Sequence, residues 1–274
     1  MIALDHALIL VRALDAAAPA WRRLGFTLTS RGRHVELGTA NHTVVFPRDY
    51  LELMTVAQPT AANERWGAAL VTGDGLHALA LATDDAVATH ERLAARGVPS
   101  EAPIRFGRPV VTADGMRDAR FTVCMLEPRA TPAVGAFFCQ HHTPDLVWRP
   151  DSLAHANTAI GVAGVTVIRA DPDRDGPAYE RLLGSARVHP HPGGVTLALG
   201  RTQLWLVRPD YAAARLDRRP PDPGPLGLTV AVADLAAARR VLAANGVPYR
   251  RFARRSLLIE PTFASGVLLE LLAT

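Results

Sequence analysis

Ala3-Leu4-Asp5-His6-Ala7-Leu8-Ile9-Leu10-Val11 reads as an apolar strand with one histidine near its start. Side chains alternate along a strand, so His6 shares a face with Leu8 and Leu10. Gly75-Leu76-His77-Ala78-Leu79-Ala80-Leu81 repeats the stretch, histidine included. Two fainter copies open at Ala163-Gly164-Val165-Thr166-Val167-Ile168 and at Leu226-Gly227-Leu228-Thr229-Val230-Ala231-Val232. Each copy runs into a helical pattern that ends on glycine (Gly25, Gly97, Gly184, Gly246) and then into about three strands. Asp15, Asp84-Asp85 and Asp234 are the expected helix openers. The third helix is expected over 177–183. In the first unit three later strands are expected, at 26–29, 33–37 and 43–46, the last running on past Pro47 into 50–54. In the second, a polar stretch at 100–118 precedes strands at 119–125 and 136–141. The pattern predicts an α+β chain of four βαβββ modules, paired into two domains at 1–142 and 161–274. A polar, proline-bearing linker at 143–160 joins them, with Trp148 as a docking residue.

Composition suits a globular chain: 274 residues, 49% hydrophobic and 20% charged. The formal net charge is only +4, yet the pI is about 9.7. The sequence contains no lysine, so all 30 basic residues are arginine, which barely titrates. With abundant Ala, Pro and Gly, this reads as the codon bias of a GC-rich bacterial genome. The Arg-Arg pairs, Arg218-Arg219 among them, are scattered and lack interleaved aromatics, so no nucleic-acid partner is expected. Missing lysine also excludes Schiff-base and P-loop chemistry. Cys124 and Cys139 lie in apolar runs and are expected as buried thiols, with one disulfide as the alternative. No signal-peptide pattern and no apolar run of membrane-spanning length occurs, so a cytoplasmic chain without a membrane partner is expected.

Superposing the first two units aligns His6 with His77, and Asp49-Tyr50-Leu51-Glu52 with Phe137-Phe138-Cys139-Gln140. Glu52 then matches Gln140. The set His6, Glu52, His77 and Gln140 offers imidazole nitrogens and carboxylate or amide oxygens. Such donors suit a borderline divalent cation, Zn, Fe, Ni, Co or Mn, with positions left open for substrate. Glu52 could also take a proton. A one-residue register slip would flip the face and bring His141 or His142 in place of Gln140. Asn41 and Tyr50 are candidates to line the cup, and Arg33 and His34 to bind an anionic group. The run His189-Pro190-His191-Pro192 reads as a loop, and His155 as structural.

These units resemble the vicinal-oxygen-chelate superfamily, which includes glyoxalase I, extradiol dioxygenases and fosfomycin- and bleomycin-resistance proteins. Leu4-Asp5-His6 with Tyr50-Leu51-Glu52-Leu53 is the most specific part. The stretch Gly32-Arg33-His34 … Gly38-Thr39-Ala40-Asn41 is similar to the subgroup called the glyoxalase-like domain. The resemblance implies two cup-shaped mixed sheets with helices outside, and metal ligands at His6, Glu52, His77 and Gln140. In the third and fourth copies Val165 and Leu228 replace the histidine, and only Glu270 keeps an acidic position. The second cup is therefore expected to bind no metal, which counts against an extradiol dioxygenase.

Two functions follow as expectations. One is a metal-dependent enzyme acting on a small oxygen-rich organic molecule, by lyase, isomerase or ring-cleavage chemistry. The other is a metal-free small-molecule binding or resistance protein of the same fold. A third reading is an oligomeric structural protein with a decayed site. A second-half cup that mimics a dimer partner leaves room for a homodimer.

Overall fold

Every opening strand lies at the middle of a sheet. In the computed structural model, which describes residues 2–112, 115–217, 219 and 222–274, β1 (Leu4–Leu10) leads to α1 (Leu14–Arg23). Strands β2 (Gly32–His34), β3 (Thr39–Val45) and β4 (Tyr50–Val56) follow. Helix α2 (Glu64–Leu70) precedes β5 (Gly75–Ala82), α3 (Ala86–Ala95), β6 (Ile104–Thr112), β7 (Gly115–Met125) and β8 (Gly135–His141). The second half repeats the order. It comprises β9 (Ala159–Ile168), α4 (Pro172–Leu183), β10 (Val188–His191), β11 (Gly194–Leu199), β12 (Thr202–Val207), α5 (Pro209–Leu216), β13 (Gly224–Val232), α6 (Leu235–Ala244), β14 (Arg250–Arg251), β15 (Ser256–Ile259) and β16 (Leu268–Ala273).

The two sheets have eight strands each, in the orders β2-β3-β4-β1-β5-β8-β7-β6 and β10-β11-β12-β9-β13-β16-β15-β14. The second order is the first advanced by one whole set of strands. Within a half, the two opening strands run antiparallel to each other, and each runs parallel to the last strand of its own module. This is the α+β arrangement of four βαβββ modules that the repeats predict.

Apolar alternation sorts the side chains. The outer sheet faces and the helices share one core that holds Trp21, Leu51, Leu79, Val165 and Leu204. The inner face of the first sheet forms a separate cluster around Leu8, Tyr50, Phe121 and Phe137. Hydrogen bonds tie the halves together. Trp21 Nε1 donates to Ser265 Oγ at 3.1 Å, Asn157 Nδ2 to Leu24 O at 3.0 Å, and Val162 N to Asp49 Oδ1 at 2.9 Å. Burial pushes the Asp49 carboxyl up to about 7, against the pull of the Val162 amide. Its proton is then held more tightly folded than unfolded, so stability falls as pH rises from about 4 to about 7. Asp49→Asn keeps an acceptor oxygen and removes the charge. Its melting temperature is expected to match the wild type near pH 4 and to exceed it at pH 8. Parallel melting-temperature profiles across that range would contradict this account.

Several local expectations are corrected. The N-cap of α1 is Ala13, and Asp15 lies in the first turn, where it favours the positive end of the helix dipole. Helix α4 starts at Pro172 under an Asp171 cap, five residues before the expected start, and Pro177 lies inside it. Residues 26–29 form no strand. The polar stretch at 100–118 is largely the hairpin of β6 and β7. Its Pro109 is tolerated because β6 is an edge strand. Edge position likewise lets His189-Pro190-His191 pair as β10. The 143–160 stretch is well packed: Leu146 and Val147 are buried beneath the first cup. The Arg218-Arg219 pair lies partly outside the described residues, which omit Arg218, Pro220 and Pro221. Cys124 and Cys139 are both buried and free. No helix among the described residues is long and apolar enough to cross a membrane.

Candidate functional site in the first cup

Two irregularities in the pairing of β1 with β5 decide what enters the first cup. Leu4 pairs with Leu81 and His6 with Ala80, so β1 advances two residues while β5 advances one. Asp5 is the extra residue of a β-bulge. The bulge sends Leu4 to the outer core and leaves His6, Leu8 and Leu10 facing inward. It also sets the Asp5 carboxylate beside its own neighbour: Oδ1 lies 2.6 Å from His6 Nδ1 and 3.0 Å from His141 Nε2.

Period-two alternation on β4 turns Tyr50, Glu52 and Met54 inward. Glu52 Oε2 lies 3.4 Å from His6 Nε2. Its other oxygen accepts from Asn41 Nδ2 at 2.6 Å. Tyr50 stacks on the His6 ring, with centroids 4.3 Å apart. Asp5, His6, Glu52 and Tyr50 are all buried.

These contacts set the charges. Burial alone would push His6 down, but the Asp5 and Glu52 carboxylates outweigh it and hold the imidazole up at about 9. Burial would raise both carboxyls. The His141 and His6 hydrogen bonds instead bring Asp5 down to about 2, and His6, His34 and Asn41 bring Glu52 down to about 2. His6 is thus an imidazolium between two carboxylates at neutral pH. Burial pushes His34 down to about 4, so it is neutral, with Nδ1 2.9 Å from Thr39 Oγ1.

His77 and Gln140 do not join this group. At the second irregularity Leu8 pairs with Ala78 and Ile9 with Leu76, so His77 is the residue that the pairing skips. It sits half-buried beside Trp66, with ring centroids 5.4 Å apart. The inward positions of β5 belong to Ala78 and Ala80. On β8, Phe137 and Cys139 line the cup while Phe138 joins the outer core. Gln140 therefore points outward, where Oε1 accepts from Ala86 N at 3.1 Å and Nε2 donates to Asp84 O at 2.7 Å. The helix start holds that amide. His141 turns inward to Asp5, and His142 turns out to Thr122.

The donors of a four-ligand metal cup are consequently not assembled. His6 Nε2 and Glu52 Oε2 converge, and apolar side chains occupy the facing half. Asp5, His6 and Cys139 do form a close buried group. There, His6 Nδ1 is already engaged by Asp5, and burial pushes the Cys139 thiol well above its ordinary range. With only His6 Nε2 and Glu52 Oε2 converging on the cavity and Gln140 held outside it, the donors present are fewer than the three or four a resident divalent ion takes.

The cavity above these residues measures about 90 Å³, room for several waters or one small molecule. His34, Asn41 and Tyr50 line it. Arg33 is exposed on the other face of β2 and does not. Among the described residues two arginines line the cup: Arg65, paired with Glu101 at 2.6 Å, and Arg108 on β6, which the sequence reading missed. The inward alternation Phe106, Arg108, Val110 was its only signal. Beyond β9 the second cup encloses about 220 Å³ among Trp205, Tyr211 and Phe252. Its lining holds one carboxylate, Glu270, which accepts from Thr229 Oγ1 at 2.9 Å.

Comparison with known proteins agrees with this architecture. The family model of the glyoxalase-like domain matches residues 4–183. A hypothetical protein from Staphylococcus aureus superposes with a TM-score of 0.73 at 14% identity, covering 100% of both chains. A mutant of 4-hydroxymandelate synthase from Streptomyces coelicolor superposes with a TM-score of 0.60 at 13% identity, over 99% of this chain and 92% of that one. At such identities the likeness is one of fold alone. A search of curated protein sequences found no match. With the matched residues spanning about two thirds of its length, the chain belongs to the glyoxalase-like domain family.

Proposed function

We propose that the first cup is a metal-independent binding site for one small, oxygen-rich organic molecule. One observation carries this reading: Ala78, Ala80, Phe137 and Cys139 fill the half of the cup from which His77 and Gln140 would have to point. The inward polar groups that remain suit hydrogen bonding. Asn41, Tyr50 and the His6–Glu52 pair form a polar arc against aromatic walls, a usual make-up for a small-molecule pocket.

Ionisation favours binding over proton abstraction. A general base works best with a pKa near the operating pH. The partners of Glu52 hold it far below that, at about 2. A sequestering or resistance role fits such a site better than lyase or isomerase chemistry through Glu52.

The test is fragment binding by ligand-observed NMR in the presence of a chelator. Small aromatic fragments with oxygen substituents are expected to bind wild type and to be lost in Ala80→Leu, which fills the cup beside His6. Circular dichroism checks that the variant folds. Fragments that bind only after a divalent metal is added would overturn the reading.

A further inference from the structure

The first cup contains a cation that no other described side chain hydrogen-bonds. Arg108 is 7% exposed, on the inward face of β6. Its guanidinium can donate five hydrogen bonds and accept none. Among the described residues it makes no hydrogen bond and no ion pair, although it lines the cavity. Burial pushes its pKa down, and the charges of Tyr50 and Glu52 only partly offset this. The Tyr50 hydroxyl, close enough for each group to perturb the other's ionisation, also has no hydrogen-bond partner among the described residues. Glu52 is engaged elsewhere, by Asn41 and His6. Both groups line the cavity, so the partners open to them are what enters it.

We infer that Arg108, with the Tyr50 hydroxyl beside it, anchors the carboxylate of a small monocarboxylic acid whose apolar body packs on Phe106, Phe121 and Phe137. This rests on the cup being a small-molecule site. The planar fork of a guanidinium matches a carboxylate through two parallel hydrogen bonds. One guanidinium offers one fork that no described side chain occupies, so a single carboxylate fills it. The aromatic walls select the rest of the molecule: Phe106 stacks on Phe121 with centroids 5.4 Å apart, and the Phe137 ring stands edge-on to His6 at 5.4 Å.

The test compares phenylacetate, phenylacetamide and inorganic phosphate by calorimetric titration. The proteins are wild type, Arg108→Gln, Arg108→Met and Arg105→Gln, the last at an exposed position on the same strand. Phenylacetate is expected to bind wild type and Arg105→Gln at least tenfold more tightly than the amide, and more tightly than phosphate. Arg108→Gln and Arg108→Met are expected to abolish the preference for the acid. Without ligand they should melt at or above the wild-type temperature, because an unpaired buried charge has been removed. Equal affinity for acid and amide in wild type would overturn the carboxylate anchor while leaving the cup a small-molecule site. Tighter phosphate binding, or no phenylacetate binding to wild type, would overturn it as well. Titrations run with chelator and with added Zn²⁺ separate the two readings. A metal requirement with the Arg108 preference intact would sink only the metal-independent site.

Discussion

His6→Ala is expected to destabilise the chain by about 3–5 kcal/mol near pH 6, the usual cost of removing one partner from a buried charge pair. The melting temperature should fall by on the order of 10 °C for a chain of this size. The cause is the position of His6 between two carboxylates, 2.6 Å from Asp5 and 3.4 Å from Glu52. Without it, Glu52 keeps only Asn41, and Asp5 keeps only His141. His6→Gln, which can still donate one hydrogen bond, should lose less. The pH dependence follows from linkage. His6 is raised to about 9, so its stabilising contribution is full below its ordinary value near 6.5 and is lost as pH rises through 9. Asp5 and Glu52 are lowered to about 2, so theirs is full above the ordinary carboxylate range and is lost as pH falls through 2. The gap between wild type and His6→Ala should therefore be widest at about pH 5–6.5 and narrow on both sides. A gap that does not vary with pH would mean that His6 acts by packing on Tyr50 and Phe137 rather than by charge.

Gly32→Ala is expected to disable the cup although it adds one methyl group. A Cβ at Gly32 would collide with Asn41 Oδ1 and would lie 3.1 Å from Arg108 Cδ. Gly32 and Asn41 are paired across β2 and β3, so neither backbone can retreat easily. Asn41 must turn away, which takes the short hydrogen bond from Glu52. Overpacking of this kind costs about 1–3 kcal/mol. Phenylacetate affinity should fall by at least tenfold, about 1.4 kcal/mol. Gly67→Ala is the contrast. It lies inside α2, and its Cβ would meet nothing within 4 Å. That change should be neutral or stabilising by up to about 1 kcal/mol. If the two alanines behave alike in calorimetry and in ligand titration, the close approach of Asn41 and Arg108 to Gly32 is not what shapes the cup.

The fold was legible because it repeats. Four opening strands with the same apolar alternation set the sheet centres, and the glycines after the helices marked the modules; Gly97 and Gly246 adopt φ of 65° and 62° there. His6 and Glu52 were legible for the same reason, since alternation on a regular strand fixes a face. His77 and Gln140 were not. Each opening strand of the first half carries one skipped residue, Asp5 on β1 and His77 on β5, so His77 matches Asp5 rather than His6. On β8 an offset of one residue exchanges Gln140 for Cys139 and His141, as alternation requires. Arg108 stayed hidden because the prolines and arginines around it read as a loop, and an edge strand tolerates both. Asp5 was missed because a neighbour in sequence is assigned to the opposite face unless the bulge is known.

His6 and Glu52 form an ion pair in a cup lacking the remaining metal ligands. Calorimetric titration of chelator-treated protein with Zn²⁺, Ni²⁺ and Fe²⁺, repeated on Glu52→Gln, checks this. No stoichiometric uptake by the wild-type cup, and no difference between the two proteins, is expected. Uptake of one equivalent of metal by wild type, lost in Glu52→Gln, would contradict it.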